Sequence, residues 1–139
     1  MYSIQKKFGS YPCGHRQHNH TGHCSYVHGH NWCFEVTLSS DKLDENGFVH
    51  DFGKFKEFRK WLEYMFDHTL LINKSDSMVD YFLRYDGVLW DIRLVENGSS
   101  ESIAKLVFNQ LADIMDNDSK KIKSVRVYED EKNSATYYG

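Results

Sequence analysis

The chain has 139 residues, 40% of them hydrophobic and 27% charged, with a formal net charge of −3. That size and balance suit a single globular domain over residues 1–139, and a lone proline excludes a long proline-rich linker. No basic block favours nucleic acid, no apolar run reaches the roughly 20 residues of a membrane helix, and the odd count of three cysteines (Cys13, Cys24, Cys33) points to a reducing, cytoplasmic setting.

In chain order, Tyr2 to Tyr11 reads as a first strand, and a histidine-rich stretch follows. Six of the eight histidines fall within it: His15, His18, His20, His23, His28 and His30. Asn31 to Ser40 is a better strand, because Trp32, Phe34, Val36 and Leu38 alternate with Cys33, Glu35 and Thr37. Asp41 to Gly47 is a polar turn, and Phe48 to Asp51 resumes extended structure. Asp51 is a suitable N-cap for a helix to about Phe66, with Phe55, Phe58, Leu62, Met65 and Phe66 on one face. Asp67 to Asp86 reads as loop and mixed structure, and Gly87 to Val95 as a strand. A turn at Asn97 to Ser100 opens a second amphipathic helix to about Asp116, with Ile103, Leu106, Val107, Leu111 and Ile114 as its stripe. A last strand, Ile122 to Glu129, puts Val125, Val127 and Glu129 on one face, and the lysines around its start, Lys120, Lys121 and Lys123, read as solvated. The expectation is an α+β fold: a four-stranded, mostly antiparallel sheet with two helices packed on one face.

Chemistry concentrates at His28-Gly29-His30. In an extended segment, residues two apart share a face, so both imidazoles point the same way and form half a metal site. His15, near the end of the first strand, is the natural third donor. Three neutral imidazoles suit zinc and leave a position open for a further ligand. Cys24, four residues before His28, is either a fourth ligand closing a structural site or a reactive thiolate beside an open one, and spacing does not separate the two. Asp67-His68 is a proton relay or a polar helix end. Glu129 ends an otherwise apolar row, where a carboxylate can take two N–H bonds from a flat heterocycle or simply be solvated.

Taken in order, these fragments resemble the family of 6-pyruvoyltetrahydropterin synthase and its bacterial relative 6-carboxytetrahydropterin synthase, over nearly the whole chain. The resemblance rests on Tyr11-Pro12-Cys13-Gly14-His15-Arg16, on Cys24 through Asn31, on Val49-His50-Asp51-Phe52, on Asp67-His68-Thr69-Leu70-Leu71-Ile72-Asn73, on Ser99-Ser100-Glu101-Ser102 and on Val125-Arg126-Val127-Tyr128-Glu129. Cys24 through Asn31 is the most specific of these. The resemblance implies a tunnelling fold, with subunits joined through their sheets into trimers or hexamers and active sites between chains. It implies zinc on His15, His28 and His30, with Cys24 as base and Asp67 and His68 as proton shuttles. Glu129 would anchor the pterin, and Ser99 and Glu101 would stand beside it at the helix opening.

The implied activity is that of a zinc-dependent lyase converting 7,8-dihydroneopterin triphosphate to 6-carboxy-5,6,7,8-tetrahydropterin, acetaldehyde and triphosphate, toward queuosine and other 7-deazaguanines. In its Cys-x-x-x-His-Gly-His spacing the chain is more similar to this carboxy branch than to the pyruvoyl branch that leads toward tetrahydrobiopterin, a choice that rests on the family resemblance. A reading from another class is a non-catalytic zinc-binding assembly module. The chain departs from the family pattern in its extra histidines (His18, His20, His23) and in Gly98-Ser99, where Pro-Thr is usual. Its Asp67–Asn73 element is one residue longer than usual, and the Lys74 to Asp86 loop has no match.

Overall fold

Strand β1 (Tyr2–His15) and strand β2 (His28–Ser40) form an antiparallel pair, in a computed structural model that describes residues 1–139. A bulge at Gly9 to Tyr11 interrupts their register. Gly9 has a φ of +108°, and a Cβ there would sit 2.7 Å from the Trp32 carbonyl oxygen, so only glycine fits. The bulge changes the alternation of the strand. Phe8 faces the core before it and Tyr11, Cys13 and His15 face the core after it. Without the inserted residue, His15 would point away from the side that carries Trp32, His30 and His28.

The sheet has six strands, not the four expected from sequence, and the added pair are short. Strand β3 (Thr69–Asn73) runs parallel to β1, and strand β4 (Ile92–Val95) parallel to β3. Strand β5 (Ile122–Tyr128) pairs antiparallel with β2, and strand β6 (Ser134–Tyr137) with β5. The spatial order is β4-β3-β1-β2-β5-β6. β3 reads as loop in sequence because all five of its residues are buried, which removes the alternation that marks a half-exposed strand. The expected strand from Gly87 is only Ile92–Val95; before it, Gly87 (φ +78°) turns the chain and Val88 and Leu89 are exposed. Phe48 to Asp51 forms bends rather than extended structure, because the Asp44 carboxylate accepts the N–H groups of Asn46 and Phe48.

Asp51 caps as expected, accepting the Gly53 N–H at 2.7 Å, but it opens a 3₁₀ turn, Phe52–Phe55. Helix α1 (Lys56–Phe66) follows and buries Phe58, Leu62 and Phe66. Helix α2 (Val79–Arg84) lies in the stretch read as loop. Helix α3 (Ser100–Met115) is capped by the Ser99 hydroxyl, which accepts the Ser102 N–H, and buries Ile103, Ala104, Val107 and Leu111. α1 and α3 share one core with the inner faces of β1, β2 and β5. α2 does not join them. On β3, Leu71 faces that core while Leu70 and Ile72 face Phe82 of α2 and Ile92, so α2 covers the opposite side of the sheet.

Trp32 is fully buried and its indole N–H donates to the Cys13 carbonyl at 3.0 Å, tying β2 to β1 directly behind the histidines. Its ring meets His15 and His30 edge-on at centroid distances of 5.0 and 5.6 Å. Trp32→Ala is expected to cost about 3–5 kcal/mol of stability, through the cavity and the unpaired carbonyl together. The measurement is the urea midpoint at unchanged m-value.

Candidate metal centre

The core face of the sheet ends in imidazoles. His15 pairs with His28 across β1 and β2, and His30 follows His28 on the same face. The ligand atoms of these three rings lie within 4.8 Å of one another. His15 Nδ1 lies 2.8 Å from the Gly98 carbonyl and His28 Nδ1 lies 2.7 Å from the Tyr26 carbonyl. A carbonyl only accepts, so both Nδ1 atoms carry protons and both Nε2 atoms present lone pairs. The Nε2 atoms of His15 and His30 are buried with no hydrogen-bond partner. Buried polar atoms rarely go unpaired. Two such atoms converging with a third imidazole fit a metal ion, and the carbonyls behind His15 and His28 orient the rings as ligand-supporting partners do. This triad can hold a metal ion.

Burial pushes the pKa of His15 below the usual imidazole range, more than the Gly98 bond and Glu129 restore. Burial likewise lowers His50, at the other end of the molecule. Both rings therefore bind protons more readily in the unfolded chain than in the folded one. Metal-free protein is expected to lose stability as pH falls below the unfolded value of about 6.5, where the unfolded state takes up protons first. Thermal midpoints measured from pH 8 to 5 check this, and the slope is expected to flatten in His15→Gln.

The triad lines a cavity of about 630 Å³ that also receives Cys24, Ser99, Glu101 and Glu129. Cys24 sits half-buried on a 3₁₀ turn (His23–Ser25), whose backbone is held by the Gln17 N–H donating to the Cys24 carbonyl at 2.9 Å. Its sulfur is not among the converging ligand atoms. Glu129 follows the last residue of β5, and its carboxylate approaches His30 Nε2 at 3.5 Å and His15 Nε2 at 3.7 Å. The opening turn of α3 brings Ser99 and Glu101 to the rim, and the Ser100 hydroxyl lies 3.5 Å from Glu129.

Asp67 and His68 are not brought to this cavity. They lie between α1 and β3, with His68 Nδ1 2.7 Å from the Asp67 carboxylate and the His68 N–H donating to the Pro12 carbonyl. Cys13 is buried, its thiol pushed up to about 11 by burial, and is inert. Among the extra histidines, His23 lines the cavity and His18 lies behind His15, near Asn73. Sequence reasoning missed Lys132 and Asn133 at the cavity wall. The signal was present in Asp130, whose carboxylate takes both of their N–H groups and folds the turn over the site.

A family model described as 6-pyruvoyl tetrahydropterin synthase matches residues 3–139. The chain belongs to that family. A relative named 6-carboxy-5,6,7,8-tetrahydropterin synthase, from Rickettsia bellii, is 31% identical over 102 residues, which is 73% of this chain and 74% of that protein. A putative 6-carboxy-5,6,7,8-tetrahydropterin synthase from Archaeoglobus fulgidus is 33% identical over 116 residues, 82% of this chain and 79% of that one. Matches to other Rickettsia proteins are shorter and span about half of each chain. The solved 6-pyruvoyl tetrahydropterin synthase of Caenorhabditis elegans superposes with a TM-score of 0.72 at 24% identity, covering 99% of this chain and 95% of that one. At that identity the likeness concerns the fold, which is the α+β tunnelling fold with a six-stranded sheet. No helix of the chain is long and apolar enough to cross a membrane.

Proposed function

We propose that this family member is a zinc-dependent 6-carboxy-5,6,7,8-tetrahydropterin synthase acting on 7,8-dihydroneopterin triphosphate. The observation that carries the reading is the pair of buried, unpartnered Nε2 atoms of His15 and His30, converging with His28 on a cavity that Cys24 and Glu129 share. Imidazole nitrogen donors suit zinc, and three protein ligands leave a position for substrate. The carboxy branch is supported by the names of the relatives from Rickettsia bellii and Archaeoglobus fulgidus.

His15, His28 and His30 would hold the ion, which when bound supplies Lewis acidity to the side-chain oxygens of the substrate. Glu129 accepts N–H bonds from the pterin edge and fixes the ring, a positioning contribution. Ser99 and Glu101 flank that ring at the start of α3. The Cys24 thiolate removes a proton from the substrate side chain. Asp67 and His68, supplied by a neighbouring subunit of a trimer or hexamer, return protons as one water supplies the second carboxylate oxygen and acetaldehyde and triphosphate leave.

The experiment incubates purified, zinc-loaded protein with 7,8-dihydroneopterin triphosphate and assays acetaldehyde and the pterin product. Acetaldehyde with 6-carboxy-5,6,7,8-tetrahydropterin is the expected outcome. A pyruvoyl pterin without acetaldehyde assigns the chain to the tetrahydrobiopterin branch instead. Zinc binding with release of neither supports the non-catalytic module.

A further inference from the structure

His15 is oriented by Gly98, and Gly98 is itself held from behind. Its N–H donates to the Asn73 side-chain oxygen at 2.8 Å, and its carbonyl accepts the His15 Nδ1 proton at 2.8 Å. Both bonds are buried, and Asn73 is 2% exposed. Asn73 ends β3, two residues beyond Leu71, which is the register partner of His15, so the fold delivers its amide beside the ligand. The other end of that amide faces Gln17 Oε1 and His18 Nδ1, each at 3.4 Å, which keeps the oxygen turned toward Gly98. Gly98 packs between the two side chains: a Cβ there would lie 3.4 Å from the Asn73 oxygen and 3.7 Å from His15 Cβ. The next peptide N–H, at Ser99, is held in turn by the Asn97 side chain at 2.8 Å.

We infer that Asn73 is a positioning residue for the metal centre: through Gly98 it fixes the tautomer and ring direction of His15 and so raises metal affinity. The inference rests on the reading of the triad as a zinc site. A glycine peptide freed from Asn73 has no side chain to hold it, and its carbonyl can rotate away from Nδ1. His15 then loses the partner that keeps the Nε2 lone pair on the cavity side. Outer partners of this kind are worth about 10–100-fold in metal affinity. A purely structural Asn73, satisfying one buried N–H, would change stability but not the affinity of the folded chain.

The test strips the full chain of metal and titrates Zn²⁺ against a chromophoric chelator, comparing wild type, Asn73→Leu and Asn73→Asp. Expected are one tight site per wild-type chain, binding about 10–100-fold weaker in Asn73→Leu, and near-wild-type binding in Asn73→Asp, which keeps an acceptor at the same place. Wild-type affinity in Asn73→Leu, or an equal loss in Asn73→Asp, overturns the inference. A wild-type chain that fails to bind zinc overturns the metal reading itself and the inference with it. Should Asn73→Leu not fold, Asn73→Ser, too short to reach the Gly98 N–H, takes its place with the same expected loss. Nitrogen-resolved NMR of the metal-free wild type adds a readout free of substitution. The His15 proton is expected on Nδ1, and its location on Nε2 overturns the inference.

Discussion

Replacing Cys24 by alanine is expected to leave zinc bound at one ion per chain and to lower turnover by about 10²–10⁴-fold, the range associated with loss of a general base. The metal side of this expectation follows from geometry. The three imidazoles converge without the sulfur. The turn that carries Cys24 is held by backbone, through the Gln17 N–H and the Cys24 carbonyl, so alanine does not release it. The catalytic side follows from position, since the thiol lines the same cavity as the triad and Glu129. Metal content by atomic spectroscopy and acetaldehyde release are the two measurements. His30→Ala provides the contrast, because removing one of the converging nitrogens is expected to abolish both. If Cys24→Ala loses zinc and fold together, sulfur is a ligand, and the site is a closed structural one without catalysis.

The His28 and His30 half of the triad was legible because its logic is local. His28 and His30 share a face in any extended segment, and the strand that follows them alternates cleanly from Trp32 to Leu38. α1 and α3 were legible for the same reason, through apolar stripes at the helical period. What brings His15 to its partners was not legible. It depends on the bulge at Gly9, and one inserted residue changes which face every later side chain occupies. β3 was missed because burial on both sides leaves no alternation, and β6 because four residues, Ser134–Tyr137, carry too little pattern. The sequence pattern extends the strand before α3 back to Gly87 because Val88 and Leu89 are apolar yet exposed.

The second group of residues behind His15 was hidden for a further reason. Asn73, Gly98 and His15 are far apart in sequence, and no spacing rule links them. Arg16 shows the same pattern. Its guanidinium grips the buried Asp76 carboxylate through two N–H bonds at 2.7 and 3.1 Å and also reaches the Ser25 carbonyl beside Cys24. The Lys74 to Asp86 stretch, unmatched in sequence, thus fastens the strand end that bears His15 to the turn that bears Cys24. Ligand identity is readable from residue type and period, whereas the partners that aim the ligands come from parts of the chain that only folding brings together.

Two inactive variants are expected to restore activity when their chains are mixed: Cys24→Ala, and His68→Ala with its Asp67 partner intact. The reasoning begins with where the Asp67–His68 pair sits. Its side chains are 44% and 81% exposed, outside the cavity that holds the triad. His68 has a φ of 59°, a conformation that a non-glycine residue holds at a cost. That conformation is fixed by the bond from its N–H to Pro12 and presents the ring outward. A paired aspartate and histidine held outward at some strain serve chemistry only if another surface brings substrate to them, and under the proposed function a second copy of the chain would do so in a ring of subunits. Each active site would then draw Cys24 from one chain and His68 from its neighbour. Random mixing gives about one quarter of sites with both groups intact, so activity recovers to about that fraction of wild type. The measurement is acetaldehyde release by co-expressed, co-purified chains against each variant alone. Recovery absent from assembled mixed oligomers overturns the shared site, since a site built within one chain gains nothing from an exchange of partners.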